Sequence, residues 1–179
     1  MRWSDLVSRQ PRLADAARRR LLDPGVVLLA SVRRDGTPRV SPVEPFVLGD
    51  DLLLSMLWGS TKAKDVSHDP RILVHSIVTG PEGTDGELKL RGRAVPVDDR
   101  DVQSRYAEAV GEALGWRPQP GRFHLFRVDV EHVAFVRWDS SANDQLVTTW
   151  PPGKEYVRRG TSATSVGPRE PYTELLVAE

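Results

Sequence analysis

The sequence predicts a mainly β (α+β) protein, an antiparallel meander or barrel with flanking helices. Three observations carry that reading. Short β-branched and apolar runs are joined by tight turn signals such as Arg34-Asp35-Gly36-Thr37. Residues 87–94 alternate cleanly, with Glu87, Lys89, Arg91 and Arg93 on one face and Leu88, Leu90, Gly92 and Ala94 on the other. The regular strand–helix alternation that a doubly wound parallel sheet needs is missing.

The elements follow in order. Residues 11–22 predict a helix: Pro11 suits a first helical turn, the alanines and leucines favour it, and Asp23-Pro24-Gly25 stops it. Residues 26–32 predict a strand, and 38–48 its return. Pro42 and Pro45 place that return at an edge or a bulge, because proline offers no amide to a ladder. A turn at Gly49-Asp50-Asp51 leads to a third strand, 52–57. Ser60 or Thr61 is a good N-cap for a short helix over 62–67. A fourth strand is expected over 71–79, a loop over 81–86, and the alternating strand over 87–94. The main helix spans 98–114, where Val102, Tyr106, Ala109, Val110 and Leu114 recur at helical spacing. Residues 123–128 and 133–138 are expected to form a closing hairpin. Residues 1–140 are expected to be one domain. Residues 141–179 read as a loosely structured extension or arm, packed on the barrel or on a partner subunit.

Length and charge bound the function. At 179 residues and 20.0 kDa the chain suits one domain. Lys+Arg and Asp+Glu are both 25, so a general nucleic-acid or anionic-membrane surface is not expected. With no cysteine there is no disulfide framework, thiol nucleophile or cysteine-ligated metal. No apolar run reaches membrane-span length and the N-terminus has no apolar signal core, so a cytoplasmic protein is expected. The four histidines have no metal-ligand spacing, and no metal site is expected. The common nucleotide, hydrolase and zinc-protease motifs are missing, and no catalytic side chain is assigned.

One segment points to a ligand. Gly59-Ser60-Thr61-Lys62-Ala63-Lys64 places hydroxyls, free amides and two ammonium groups at a helix start, a combination suited to phosphate. By itself it reads more simply as an ordinary capped helix with solvated lysines. Of the 25 basic residues only four are lysine, and Lys62 and Lys64 are two of them. The strand Arg39-Val40-Ser41-Pro42-Val43 supplies an Arg on a proline-interrupted edge. If that strand pairs with the Ser55–Trp58 region, Arg39 joins Lys62 at the anion.

The opening hairpin 27–43, the segment Gly59–Val66 running into Asp69-Pro70-Arg71, and the late run 123–138 together resemble the pyridoxamine 5′-phosphate oxidase-like family of flavin-binding split β-barrels. The resemblance covers roughly residues 10–140. It implies a homodimeric antiparallel split barrel that binds FMN at the dimer interface and acts as an oxidoreductase on a small-molecule redox substrate. Arg39 and Lys62 map to the phosphate grip, with Ser60 and Thr61 beside them. Val40, Ser41, Pro42 and Val43 map along the isoalloxazine, and Ser55, Met56, Leu57 and Trp58 to the ribityl side. Arg137 or Trp138 would reach across from the other subunit. Two departures separate the chain from true pyridoxamine phosphate oxidases. Thr61 stands where an Arg precedes the Lys, and their C-terminal substrate motif with its Arg and His is missing. Two alternatives accompany FMN: a deazaflavin (F-420)-dependent reductase on the same fold, with Lys64, Arg91 and Arg93 for its polyglutamate tail, and a non-catalytic flavin- or haem-binding carrier or sensor.

Overall fold

The computed structural model describes residues 1–80, 83 and 85–177; Pro81, Glu82 and Thr84 of the expected loop, and Ala178 and Glu179 of the expected arm, lie outside the described residues. Helices α1 (Trp3–Arg9) and α2 (Pro11–Ala17) open the chain, and α2 continues as a π-helical turn through Leu22. The sequence reading had no helix at α1. Its Trp3 and Leu6 are buried, so packing rather than propensity holds this short segment.

Strands β1 (Val27–Val32) and β2 (Pro38–Val43) form the expected hairpin, with Gly36 at φ 83 supplying the left-handed turn position. The return segment is not one strand. It breaks at Glu44, and β3 (Pro45–Leu48) pairs with β4 (Asp51–Leu57) instead of with β1. Helix α3 (Thr61–His68), β5 (Arg71–His75), β6 (Glu87–Pro96) and α4 (Arg100–Leu114) follow. The fourth strand therefore stops at His75, short of the expected 79. Asp99 caps α4 by accepting the amides of Asp101 and Val102, and Gly115 at φ 75 ends it.

The expected closing hairpin is a single strand, β7 (Phe123–Asp139). The segment between the two expected strands, 129–132, stays paired with β6 rather than reversing the chain. The chain takes up one extra residue instead: Arg91 pairs with His132 and Gly92 with Val130, leaving Glu131 as a bulge. The expected loose arm also proves regular. Strands β8 (Asp144–Trp150), β9 (Lys154–Ser162) and β10 (Ser165–Pro171) extend the same sheet outward from β7. The segment beyond them is pinned by Glu155, whose carboxylate accepts the amides of Glu174, Leu175 and Leu176 at 2.9, 2.8 and 3.1 Å.

The ladders run β1–β2, β3–β4, β4–β7, β7–β6, β6–β5 and β5–β1, all antiparallel. With β2 continuing into β3, they close a barrel that is split along one side, where β2 and β4 form no ladder. At its centre, Leu52, Leu53 and Leu54, β4 is buried on both faces. Leu52, Leu54 and Met56 point into the barrel with Val27, Val74, Leu90 and Phe126. Leu53 points out beneath α4, against Tyr106, Val110, Phe123 and Leu125. α3 stops one end of the barrel with Ala63 and Val66. Among the described residues no helix is long and apolar enough to cross a membrane.

Candidate functional site

Among the described residues the outer edge of β2 has no neighbouring strand, and α3 stands near it. Two side chains bridge the gap. Arg39 Nε donates to Asp65 Oδ2 at 2.5 Å, and Lys62 Nζ donates to the Pro42 carbonyl at 2.7 Å. Lys62 and Asp65 are three residues apart on α3 and so share a helix face. Pro42 has no amide for the open edge, and its carbonyl takes the ammonium instead. The pairing of β2 with the Ser55–Trp58 region, the condition under which Arg39 would join Lys62, does not occur; β4 pairs with β3 and β7. Arg39 and Lys62 still meet on one edge, joined through the helix rather than through a ladder.

The α3 N-terminus has an unusual cap. Ser60 occupies the N-cap position but its side chain caps no amide. Its Oγ is buried without a hydrogen-bond partner. A buried hydroxyl left unpaired costs about 1–3 kcal/mol, so it marks a place built for a further acceptor or donor. Gly59, at φ 70, makes the turn into it. The Gly59 amide donates to His124 Nε2 at 3.1 Å, and the His124 ring stacks on Trp58 with centroids 4.7 Å apart and planes 6° apart.

A groove of about 460 Å³ opens beside this edge, lined by Pro42, Val43, Ser55, Met56, Leu57 and Lys62 on the barrel side. Trp116, Gln119, Arg122 and Phe123 line its far side, with Glu44 at the strand break. That far wall comes from the loop between α4 and β7, which the sequence reading passed over; the Trp and Arg within it were the available signal. The buried Tyr106 hydroxyl lies near Ser55; its ionisation is pushed up chiefly by burial, an effect that Ser55 partly offsets.

The remaining expected site residues divide. Ser41 and Thr61 flank the two bridges, with Thr61 exposed. Val40 is 62% exposed, Leu57 79% and Trp58 61%, an apolar set standing open at the split. Arg137 and Trp138 are not brought to the groove within the chain. They sit at the far end of β7, where Arg137 pairs with Glu174 and the Trp138 amide donates to Gly83. Among the described residues no group of three or more His, Asp or Glu side chains could hold a metal ion.

Comparison with known proteins places this geometry. The family model described as pyridoxamine 5′-phosphate oxidase matches residues 13–137. No curated protein matches. Among solved structures, the fold is similar to a NimC/NimA family protein from Clostridium acetobutylicum, at 17% identity and TM-score 0.55, covering 86% of this chain and 98% of that one. It is also similar to PhzG from Burkholderia lata in complex with tetrahydrophenazine-1-carboxylic acid, at 17% identity and TM-score 0.57, covering 83% and 84%. A third is an F-420 reductase, at 20% identity and TM-score 0.51, covering 65% and 94%. At these identities the likeness is one of fold.

Proposed function

The chain belongs to the pyridoxamine 5′-phosphate oxidase family, and from that premise we propose that it is an FMN-binding oxidoreductase whose cofactor phosphate is held at the α3 N-terminus. The observation that carries the reading is the buried, unpartnered Ser60 Oγ beside Lys62. A phosphate there accepts from the hydroxyl and from the free first-turn amides, and it draws the ammonium from the Pro42 carbonyl. Arg39 keeps Asp65 neutralised, so the helix start does not repel the anion. Pro42, Val43 and Leu57 provide an apolar bed for a flat ring, and Ser55 provides a polar edge. When bound, FMN supplies the electron-transfer chemistry; the protein holds and orients it and excludes water. The exposed Val40, Leu57 and Trp58 support a homodimer, since a second copy would cover them.

A deazaflavin is the second reading, favoured by the exposed face of β6 with Lys89, Arg91 and Arg93 in a row and Arg71 opposite Arg93. Much of that charge is already answered, Lys89 by Glu87 at 2.6 Å and Arg71 by Asp69 at 2.5 Å, which ranks FMN first. The test is the absorption spectrum of the purified protein, mass spectrometry of released ligand, and parallel titrations with FMN and F-420. FMN uptake that weakens in Lys62→Ala supports the proposal. Preference for F-420 selects the second reading. A protein that takes up neither ends both, and tight FMN binding that no nicotinamide donor or substrate reduces makes it a carrier.

A further inference from the structure

We propose that His124 is a positioning residue for the anion site at the α3 N-terminus, and that its protonation loosens that site. The inference rests on the reading of that terminus as a cofactor-phosphate site, and it adds a regulation to it.

The Trp58-Gly59-Ser60 turn delivers Ser60 and the first amides of α3, yet no strand ladder holds it. β4 ends at Leu57 and α3 begins at Thr61. Its backbone link to β4 is the Ser60 amide to the Leu57 carbonyl at 3.1 Å. Its link to the body of the barrel is His124, 65 residues away along the chain, through the Gly59 amide and the Trp58 stack. His124 lies on β7 opposite Met56, on the strand that also anchors β4.

The two halves of this contact respond differently to a proton. An imidazole accepts the Gly59 N–H only through an unprotonated Nε2. Protonation turns that nitrogen into a donor facing a donor, so the hydrogen bond is lost. The Trp58 stack survives, because an indole face attracts a cation. The ring and Trp58 therefore stay together while the Gly59 amide is released, which loosens the aim of the Ser60 hydroxyl and the helix amides that follow it. A cavity of about 330 Å³ beside His124 is lined by Ser67 of α3, Asp98 and Arg100 at the entry to α4, Gln103, Gly121 and Phe126. Asp98 and Arg100 line this cavity together with His124. These are the charged groups that share the cavity with it.

The test needs two readouts. In the cofactor-free protein, the Gly59 amide resonance is followed from about pH 8 to about pH 5 together with the His124 ring. Both are expected to move with one midpoint. In FMN titrations, His124→Phe keeps an aromatic stack without an acceptor and is expected to bind about five- to tenfold more weakly at neutral pH. His124→Gln places a non-titrating oxygen near the Nε2 position. It is expected to restore neutral-pH affinity and to remove the part of the acid loss that exceeds the phosphate's own titration. A Gly59 amide indifferent to His124, or a His124→Phe protein with wild-type affinity and pH profile, overturns the proposal. Affinity that rises on protonation overturns it too, since His124 would then contact the anion directly. If the wild-type protein binds no flavin, the cofactor reading fails, while the Gly59 titration still decides whether His124 holds the turn.

Discussion

Arg39 and Asp65 join the open edge of β2 to α3 through a hydrogen-bonded ion pair of 2.5 Å, with their side chains 24% and 10% exposed. The pair fixes the width of the split on which the candidate site depends. Removing Asp65 leaves a part-buried guanidinium unanswered. Asp65→Ala is expected to lower stability by about 3 kcal/mol, and the Arg39→Ala/Asp65→Ala double mutant by less than the sum of the singles. Urea unfolding of the cycle measures the coupling. Strict additivity would mean that the pair does not hold the edge.

Ser60 and Lys62 should separate stability from binding. Ser60→Ala removes a buried hydroxyl without a partner, so thermal stability is expected to hold or rise while FMN affinity falls. Lys62→Met is expected to weaken FMN binding by about tenfold or more, with little effect on riboflavin, which has no phosphate. Isothermal titration with both ligands distinguishes loss of the phosphate contact from collapse of the groove.

Tyr106 joins the core beneath α4 to the groove through Ser55. Tyr106→Phe keeps the packing and deletes the hydroxyl near Ser55, at an expected cost of about 1 kcal/mol. In the wild-type protein, spectrophotometric titration should find one tyrosine that ionises above the ordinary range, because burial disfavours its phenolate.

Asp69 follows α3 and takes the Arg71 guanidinium, which lowers its ionisation from the ordinary carboxylate value of 3.8 to about 2. The folded value lies below the unfolded one. The contribution is therefore complete above the unfolded value and is lost as pH falls through the folded one. The expected outcome is a carboxyl resonance with its midpoint near 2 that returns toward 3.8 in Arg71→Ala.

Gly92 sits opposite the β7 bulge, and a Cβ there would meet the Asp129 carbonyl oxygen at 2.3 Å. Gly92→Ala must therefore push the two strands apart. A loss of about 2 kcal/mol or more is expected, read as a lower denaturant midpoint. The bulge matters because β7 pairs with β4 along its first part and with β8 along its last, and Glu131 is the extra residue between them.

The sequence by itself determined what short-range chemistry controls. The Asp35-Gly36 turn, the strict alternation of 87–94, the proline-marked edge at 38–43 and the start of α3 after Gly59-Ser60 are each written within a few residues. So was the choice of Lys62 and Ser60 as candidates, because an anion site at a helix start is local. The tertiary structure decided what depends on partners far along the chain. It broke 38–48 into two strands with different neighbours, ran 123–139 through as one strand, and turned 144–171 into added sheet, because pairing rather than propensity settles where a strand ends. It also set Arg39 against Asp65, and Gly59 against His124. Residues separated by 26 and 65 positions meet only when the barrel closes, and no local pattern encodes that closure.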